Sequence, residues 1–490
     1  MINGNRRTLE KAMAAAATYS DWSEAAKAYD VQTGANKWIE ADESKYFDYT
    51  SIRRRLERLE ELAENGDNPG LLFALNEGIH GNMDGMGHYR LYERARFGTK
   101  DLIQQYIDAI ADSLNHLADP KVTDIPFEDK LDLFRRAQHC YGRSAFLMSG
   151  SGSFLYFHLG VAMALWKEGL LPKIISGSSG GSVVGAILCT HEDDDLERFF
   201  DPAVLTGLSA SGGDPEVGAF GMPKRLSADQ IREQLSEIIP DLTFQEAYEL
   251  TGRDLNISIA PAERHQTSRL LNAIASPNVF IREAVWASCA VPGIYPSVSL
   301  MAKDHKGKRV PYLPDRKWVD GSVTNDLPTK RLSRLYGANH HIVSQANPIV
   351  TPFAKVMKPQ QGSLAAIRSA SISTVKAWAN ANATLMQKPL SYFPALNSMT
   401  SMMLSVMNQT YSGDINIVCP PMLWSPTKML SELPREDIQH LMDLGERSAW
   451  PQIEMVRTQT KVSQTLESIL FDYEDELVHE HSYTVKRKIA

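Results

Sequence analysis

The sequence predicts an α/β fold with a mostly parallel central sheet, carrying helical regions on its N-terminal and C-terminal sides. Three observations point there. A β-branched apolar pair, Ile174-Ile175, runs into Gly177-Ser178-Ser179-Gly180-Gly181 and straight on into a helix-compatible apolar stretch. A glycine-serine cluster, Ser149-Gly150-Ser151-Gly152-Ser153, separates the strand-like Ala145–Met148 from the helical run Phe154–Trp166. Together they read as strand, glycine loop, helix, strand, serine turn, helix: a βαβ unit with its next helix. Open sheets built from such units place their sites at the carboxyl ends of the strands, where both loops fall.

In chain order, residues 1–139 read as a helical, highly charged region. Ile52–Leu62 is an example, with Arg53, Arg54, Arg55, Glu57, Arg58, Glu60 and Glu61 at spacings that pair opposite charges on a helix surface. Residues 140–350 carry the α/β signals and form the expected catalytic domain. Residues 351–490 are expected to be mostly helical, ending in a polar tail from Tyr473. A chain of 490 residues with 43% hydrophobic content is long enough for two or three domains. Arg6, Arg7 and Lys11 precede an alanine run without an apolar core, so no signal peptide is expected. No apolar run reaches the length of about 18 residues needed to span a bilayer. The expectation is a cytoplasmic protein, or one peripheral to a membrane. Cys140, Cys189, Cys289 and Cys419 are far apart and suit buried, reduced thiols better than a disulfide framework.

Gly177-x-Ser179-x-Gly181 has the form of a nucleophile elbow: a strand ends, the backbone turns sharply, and a serine is presented at a helix start. Gly177, Gly180 and Gly181 allow the tight turn and the close approach of a substrate carbonyl. The helix dipole favours negative charge developing beside Ser179. The Gly150–Ser153 loop offers backbone N–H groups that suit either a phosphate or a tetrahedral acyl oxyanion. Phosphate-loop spacing is missing, and Leu155 stands where a dinucleotide site has its third glycine, which favours the oxyanion. Asp320, ending the strand-like Lys317-Trp318-Val319 and followed by Gly321, is the candidate base. His340 or His341 would complete a Ser–Asp–His order, but both sit in a run that reads as the start of a strand. His158 reads as a core histidine, and the carboxylates after His191 as a solvated run. Neither a metal nor a cofactor is expected.

A glycine loop, a G-x-S-x-G elbow and a downstream Asp-Gly resemble the patatin family of serine acyl hydrolases. Ala287–Pro296 resembles the family's segment between serine and aspartate. Tyr19, Trp22, Ala25, Ala26, Asp30, Gly34, Trp38 and Gly87–Lys100 resemble the helical region that precedes the patatin domain in fungal and plant triacylglycerol lipases. The resemblance covers about residues 10–345 and implies a three-layer sandwich. It implies a Ser179–Asp320 dyad without histidine, and an oxyanion hole from the amides of Gly150, Ser151, Gly152 and Ser153 with that of Gly180. The sequence departs from the family at Ser151, Phe154 and Leu155, where more glycine and a basic residue are usual, and in Asp-Gly-Ser at the aspartate.

Residues 327–413 contain no Asp or Glu and eight Lys or Arg, in a chain of net charge −8. Met399, Met402, Met403, Val406 and Met407 share one helical face, and Leu364, Ile367, Ile372, Val375 and Trp378 suggest another. These helices either pack on the core or dock on an anionic lipid surface. Sparse aromatics and overall acidity argue against nucleic acid. The expected function is hydrolysis of glycerolipid esters in a membrane or droplet, of phospholipase A or lipase type. Acyl transfer to a lysophospholipid and a catalytically silent lipid-binding scaffold are the alternatives.

Overall fold

The computed structural model describes residues 2–79, 81, 83–207, 227–263, 267–347, 350–351, 413–420 and 431–489. The chain divides into two compact units. One comprises Met1–Ser144, Tyr336–His340 and Trp450–Ala490, the other Ala145–Leu335 and His341–Ala449.

The first unit is helical. Helices Tyr49–Glu64, Asn68–Gly78, Asp101–Ala118 and Phe127–Tyr141 share one apolar core with Val462, Leu466, Ile469 and Tyr473. Ile52, Leu56, Leu59 and Leu62 form the buried stripe of the first of these helices. Its solvent side carries Arg53–Asp42 at 2.7 Å and Arg58–Glu61 at 2.8 Å. Exposed pairs of this kind contribute at most about 1 kcal/mol each, so apolar burial holds the unit. Helix Tyr19–Thr33 is capped by the Thr18 side chain and ends at Gly34, whose φ of 75° suits glycine. The buried Asp30 carboxylate on that helix accepts the N–H groups of Arg96 and Phe97, each at 2.9 Å. Lys100, also buried, donates to the Trp38 carbonyl at 2.5 Å and lies 4.5 Å from the Trp38 ring centroid. Trp22 and Ala26 pack with Ala16 and Trp450. The polar and aromatic residues that mark this region in the sequence therefore tie loops to helices.

The second unit is built on a sheet that has seven strands among the described residues, in the order β4-β3-β2-β1-β8-β9 with β7 paired to β3. Its strands are β1 (Arg143–Met148), β2 (Ile174–Gly177), β3 (Asp254–Pro261), β4 (Arg269–Leu271), β7 (Trp318–Asp320), β8 (Ala338–Gln345) and β9 (Ile415–Val418). A separate antiparallel pair is formed by β5 (Leu300–Lys303) and β6 (Arg309–Tyr312). Pairing is parallel between β1 and β2, β2 and β3, and β8 and β9, and antiparallel for β4 and β7 on β3. Every residue of β2 and β3 is buried, as in a sheet covered on both faces.

β9 lies in the region read from sequence as mostly helical. Four residues are too few to show the alternation that marks a strand. The polar tail in turn continues the helix Arg435–Ile489.

Helix Leu155–Lys167 packs against the start of that C-terminal helix at backbone distance. A Cβ on Gly160 would stand 2.0 Å from the Met442 carbonyl oxygen, and one on Gly445 would stand 2.1 Å from that of Phe157. This close approach explains a glycine inside a helix, where it costs about 1 kcal/mol relative to alanine.

Of the basic stretch, Lys330, Arg331 and Arg334 lie on the described helix Thr329–Tyr336. Both amphipathic patterns, with Lys355, Lys358, Arg368, Lys376 and Lys388, lie outside the described residues. Among the described residues, no helix is long and apolar enough to cross a membrane. Cys189 and Cys419 are buried, whereas Cys140, expected to be buried, is exposed at the end of a helix.

Candidate active site

β2 ends at Gly177, and two residues later Ser179 adopts φ 50°, ψ −124° before the helix Gly180–Thr190 begins. A positive φ at a non-glycine residue is strained backbone, and here the surroundings enforce it. A Cβ on Gly177 would come within 2.2 Å of the Gly181 carbonyl oxygen, and one on Gly181 within 2.6 Å of that of Met148. The Ser179 N–H donates to Ser288 Oγ at 2.9 Å, and the Ser288 hydroxyl donates to the Ser258 carbonyl at 2.8 Å. Ser288 sits on helix Ile281–Cys289 and pins the turn from the far side of β3 residue Ser258.

Asp320 is delivered by β7, whose pairing sets Ile259 opposite it, and by its own N–H on the Ala290 carbonyl at 3.0 Å. Its Oδ1 accepts the Ser322 N–H at 2.8 Å. The Ser179 side chain lies close enough to this carboxylate to lower its pKa. The structure thus brings the two sequence-predicted residues near one another. Burial pushes the Asp320 pKa up to about 6, against the opposing pull of Ser322 and the nearby Ser179 side chain. The carboxylate is therefore ionised at neutral pH, yet more basic than a free aspartate.

The glycine loop lies against the elbow. A Cβ on Gly180 would be 2.6 Å from both the Gly152 carbonyl oxygen and Ser151 Oγ, and 3.1 Å from the Gly152 nitrogen. Gly152 has φ 54° and needs to be glycine. Leu155 does not: its φ −52°, ψ −30° is ordinary helical backbone, so the backbone requires no glycine there. Among the described residues, the N–H groups of Ser151, Gly152, Ser153 and Gly180 have no acceptor. Gly150 is a correction to the sequence reading. Its N–H donates to Asp326 Oδ1 at 2.7 Å, so it anchors the loop and is not available to an oxyanion.

Asp326 is the residue that sequence reasoning missed. It is buried, and its pKa is pushed up to about 7, first by burial and also by the charge of Asp320, against the Gly150 N–H and the polar side chains of Asn347 and Ser178. The Ser178 hydroxyl also donates to the Asp326 backbone carbonyl at 2.9 Å. One residue, through its side chain and its backbone carbonyl, thereby joins the glycine loop, the elbow and the segment after Asp320. The available signal was a second aspartate, six residues past the first, at the edge of the acid-free stretch. Asp326→Ala should lower kcat by about tenfold or more through a loosened oxyanion loop, with little change in KM. Asp326→Asn keeps an acceptor for Gly150 and should restore most of that loss. Equal loss in both variants, measured by steady-state kinetics, would rule out a role in holding the loop.

Among the described residues, no histidine joins the Ser179–Asp320 pair. His340 contacts Ser144 Oγ at 3.0 Å and Gln459 Oε1 at 2.8 Å, and the His341 N–H donates to Asp414 at 2.7 Å. Both lie near the start of β8, whereas Ser344, three residues and about 10 Å further along the strand, is the one that meets Ser149. His158 is buried between Ser344 Oγ at 2.7 Å and the Ser149 carbonyl at 3.0 Å, with its pKa pushed down to about 3 by burial. It is a neutral strut under the glycine loop. Asp193, from the acidic run, accepts from Trp166 at 2.7 Å and pairs with Arg253. Among the described residues, no cluster of three or more His, Cys, Asp or Glu suits a metal ion.

Comparison with known proteins covers both halves of the chain. The family model described as patatin-like phospholipase matches residues 146–332. One described as a domain of unknown function, DUF3336, matches residues 1–139. A patatin-like phospholipase domain-containing protein of Cryptococcus neoformans var. neoformans is 32% identical over 480 residues, covering 94% of this chain and 54% of its own length. The triacylglycerol lipase SDP1L of Arabidopsis thaliana is 32% identical over 485 residues, covering 94% and 58%. A patatin-like phospholipase domain-containing protein of Aspergillus clavatus is 32% identical over 490 residues, covering 94% and 68%. The chain thus spans a little over half the length of the first two.

Proposed function

The chain belongs to the patatin-like phospholipase family, and from that premise we propose that it hydrolyses glycerolipid esters through a Ser179–Asp320 dyad. The observation that carries this reading is the proximity of the strained, glycine-flanked Ser179 to a buried carboxylate of raised pKa. Asp320 takes the Ser179 proton as Oγ bonds to the ester carbonyl carbon and the carbonyl π pair moves onto oxygen. The amides of Ser151, Gly152, Ser153 and Gly180 stabilise that oxyanion. In sites of this kind one donor is worth about 3 kcal/mol. Collapse of the intermediate expels the glycerolipid alcohol, which takes the proton from Asp320, and leaves an acyl group on Ser179. Water, deprotonated by the same carboxylate, then releases the fatty acid and restores the serine.

Names of phospholipases and of a triacylglycerol lipase occur among the relatives, which supports a glycerolipid as substrate class. Such a substrate resides in a membrane or droplet, and the basic stretch suits anionic headgroups. Product mass spectrometry after incubation with mixed vesicles and triacylglycerol emulsion tests the reading. Free fatty acid with its matching lysolipid or diacylglycerol is expected. Folded protein that releases no fatty acid from any glycerolipid would overturn it.

A further inference from the structure

A cleft of about 380 Å3 opens between β4 and the helix Thr329–Tyr336, away from the reacting serine. It is within the size range of small-molecule sites. Arg269, Arg331 and Arg334 line it, together with Leu270, Leu271 and Leu335. Arg331 is fixed by donation from Nη2 to the Ser268 carbonyl at 2.6 Å, and Arg269 lies 5.4 Å from the Trp318 ring centroid. Among the described residues, none of the three guanidinium groups is paired with a carboxylate, and no acidic residue lines the cleft. Three uncompensated cations around leucine side chains form an uncommon surface. Guanidinium forks match the two oxygens of a carboxylate or phosphate, while the leucines offer nothing to a free inorganic ion.

We propose that this cleft binds a single-chain amphiphile with an oxyanion head, such as a long-chain carboxylate. The head rests on the arginines and the alkyl tail on the apolar lining beside Leu335, the exposed leucine of the cleft. The site is separate from the dyad. On β3, Ile259 pairs with Arg269 on one side and with Asp320 on the other, placing two strand spacings, about 10 Å, between the two backbones. The proposal concerns recognition alone and does not depend on hydrolysis.

Calorimetric titration of the full-length Ser179→Ala protein with decanoate, below its micelle concentration, tests the proposal without turnover. Saturable binding is expected, weakened about tenfold or more in Arg331→Gln. Arg334 is exposed, so Arg334→Glu removes a cation and adds an anion without disturbing the fold, and it should weaken binding at least as much. Decanol and inorganic phosphate, each having one half of the ligand, should both bind at least about tenfold more weakly than decanoate. Decanoate binding unchanged in both arginine variants would overturn the proposal. So would phosphate binding as tightly as decanoate, which would mark a site for free oxyanions only.

Discussion

Ser179→Ala should lower ester hydrolysis by about 10^4-fold or more, the scale seen when a serine hydrolase loses its nucleophile. The substitution deletes one hydroxyl and nothing else that holds the turn. The Ser179 N–H still reaches Ser288, Gly177 and Gly181 still permit the turn, and alanine carries the same cost at φ 50° as serine. Thermal unfolding should therefore move little, which separates lost chemistry from lost fold. The amides of Ser151, Gly152, Ser153 and Gly180 remain, but an oxyanion hole has no tetrahedral intermediate to hold when no oxygen attacks. Hydrolysis of a short-chain nitrophenyl ester gives the rate directly. A variant that keeps a tenth of wild-type activity would place the attack on another group.

Asp320→Asn should cost about 10^2- to 10^4-fold, the range for a positioned general base. It should also change the shape of the pH profile. With a pKa of about 6, wild-type kcat/KM should fall about tenfold per unit on the acid side of that value, as the base becomes protonated. The variant should show no such limb. The stability effect has the opposite sign. The unfolded carboxylate titrates near 3.8 and the folded one near 6, so between those values the native state holds a proton that the unfolded state has released. The Asp320 contribution to stability therefore declines as pH rises from about 4 to about 6 and is level above it, by about 3 kcal/mol in total. Asparagine avoids that ionisation cost. The slower variant should thus be the more stable one at pH 8 and should lose this advantage at pH 4, a comparison that denaturant titration can make.

What the sequence disclosed was local. The strand into Gly177, the helix after Ser179 and the loop at Gly150–Ser153 are short-range patterns of β-branched, glycine and apolar residues, and they fold where the pattern put them. The N-terminal helices announced themselves through the spacing of Ile52, Leu56, Leu59 and Leu62. Asp320 was different. Its strand-end position before Gly321 made it a candidate, but nothing near it in the chain indicates Ser179, and only the resemblance paired the two. The physical connection is the antiparallel seat of β7 on β3. The bonds that escaped notice span long chain separations. Gly150 to Asp326 covers 176 positions and Ser179 to Ser288 covers 109, so no periodicity could signal them. The same holds for Gly160 and Gly445, whose purpose is visible only once two helices touch.

Intact-protein mass spectrometry of enzyme quenched in acid during turnover of a slow acyl ester tests the central claim most directly. The prediction is one added acyl group, mapped by peptide fragmentation to Ser179, absent in Ser179→Ala and accumulating far more slowly in Asp320→Asn. An acyl group on any other residue, or undiminished hydrolysis by the Ser179→Ala protein, would contradict the account.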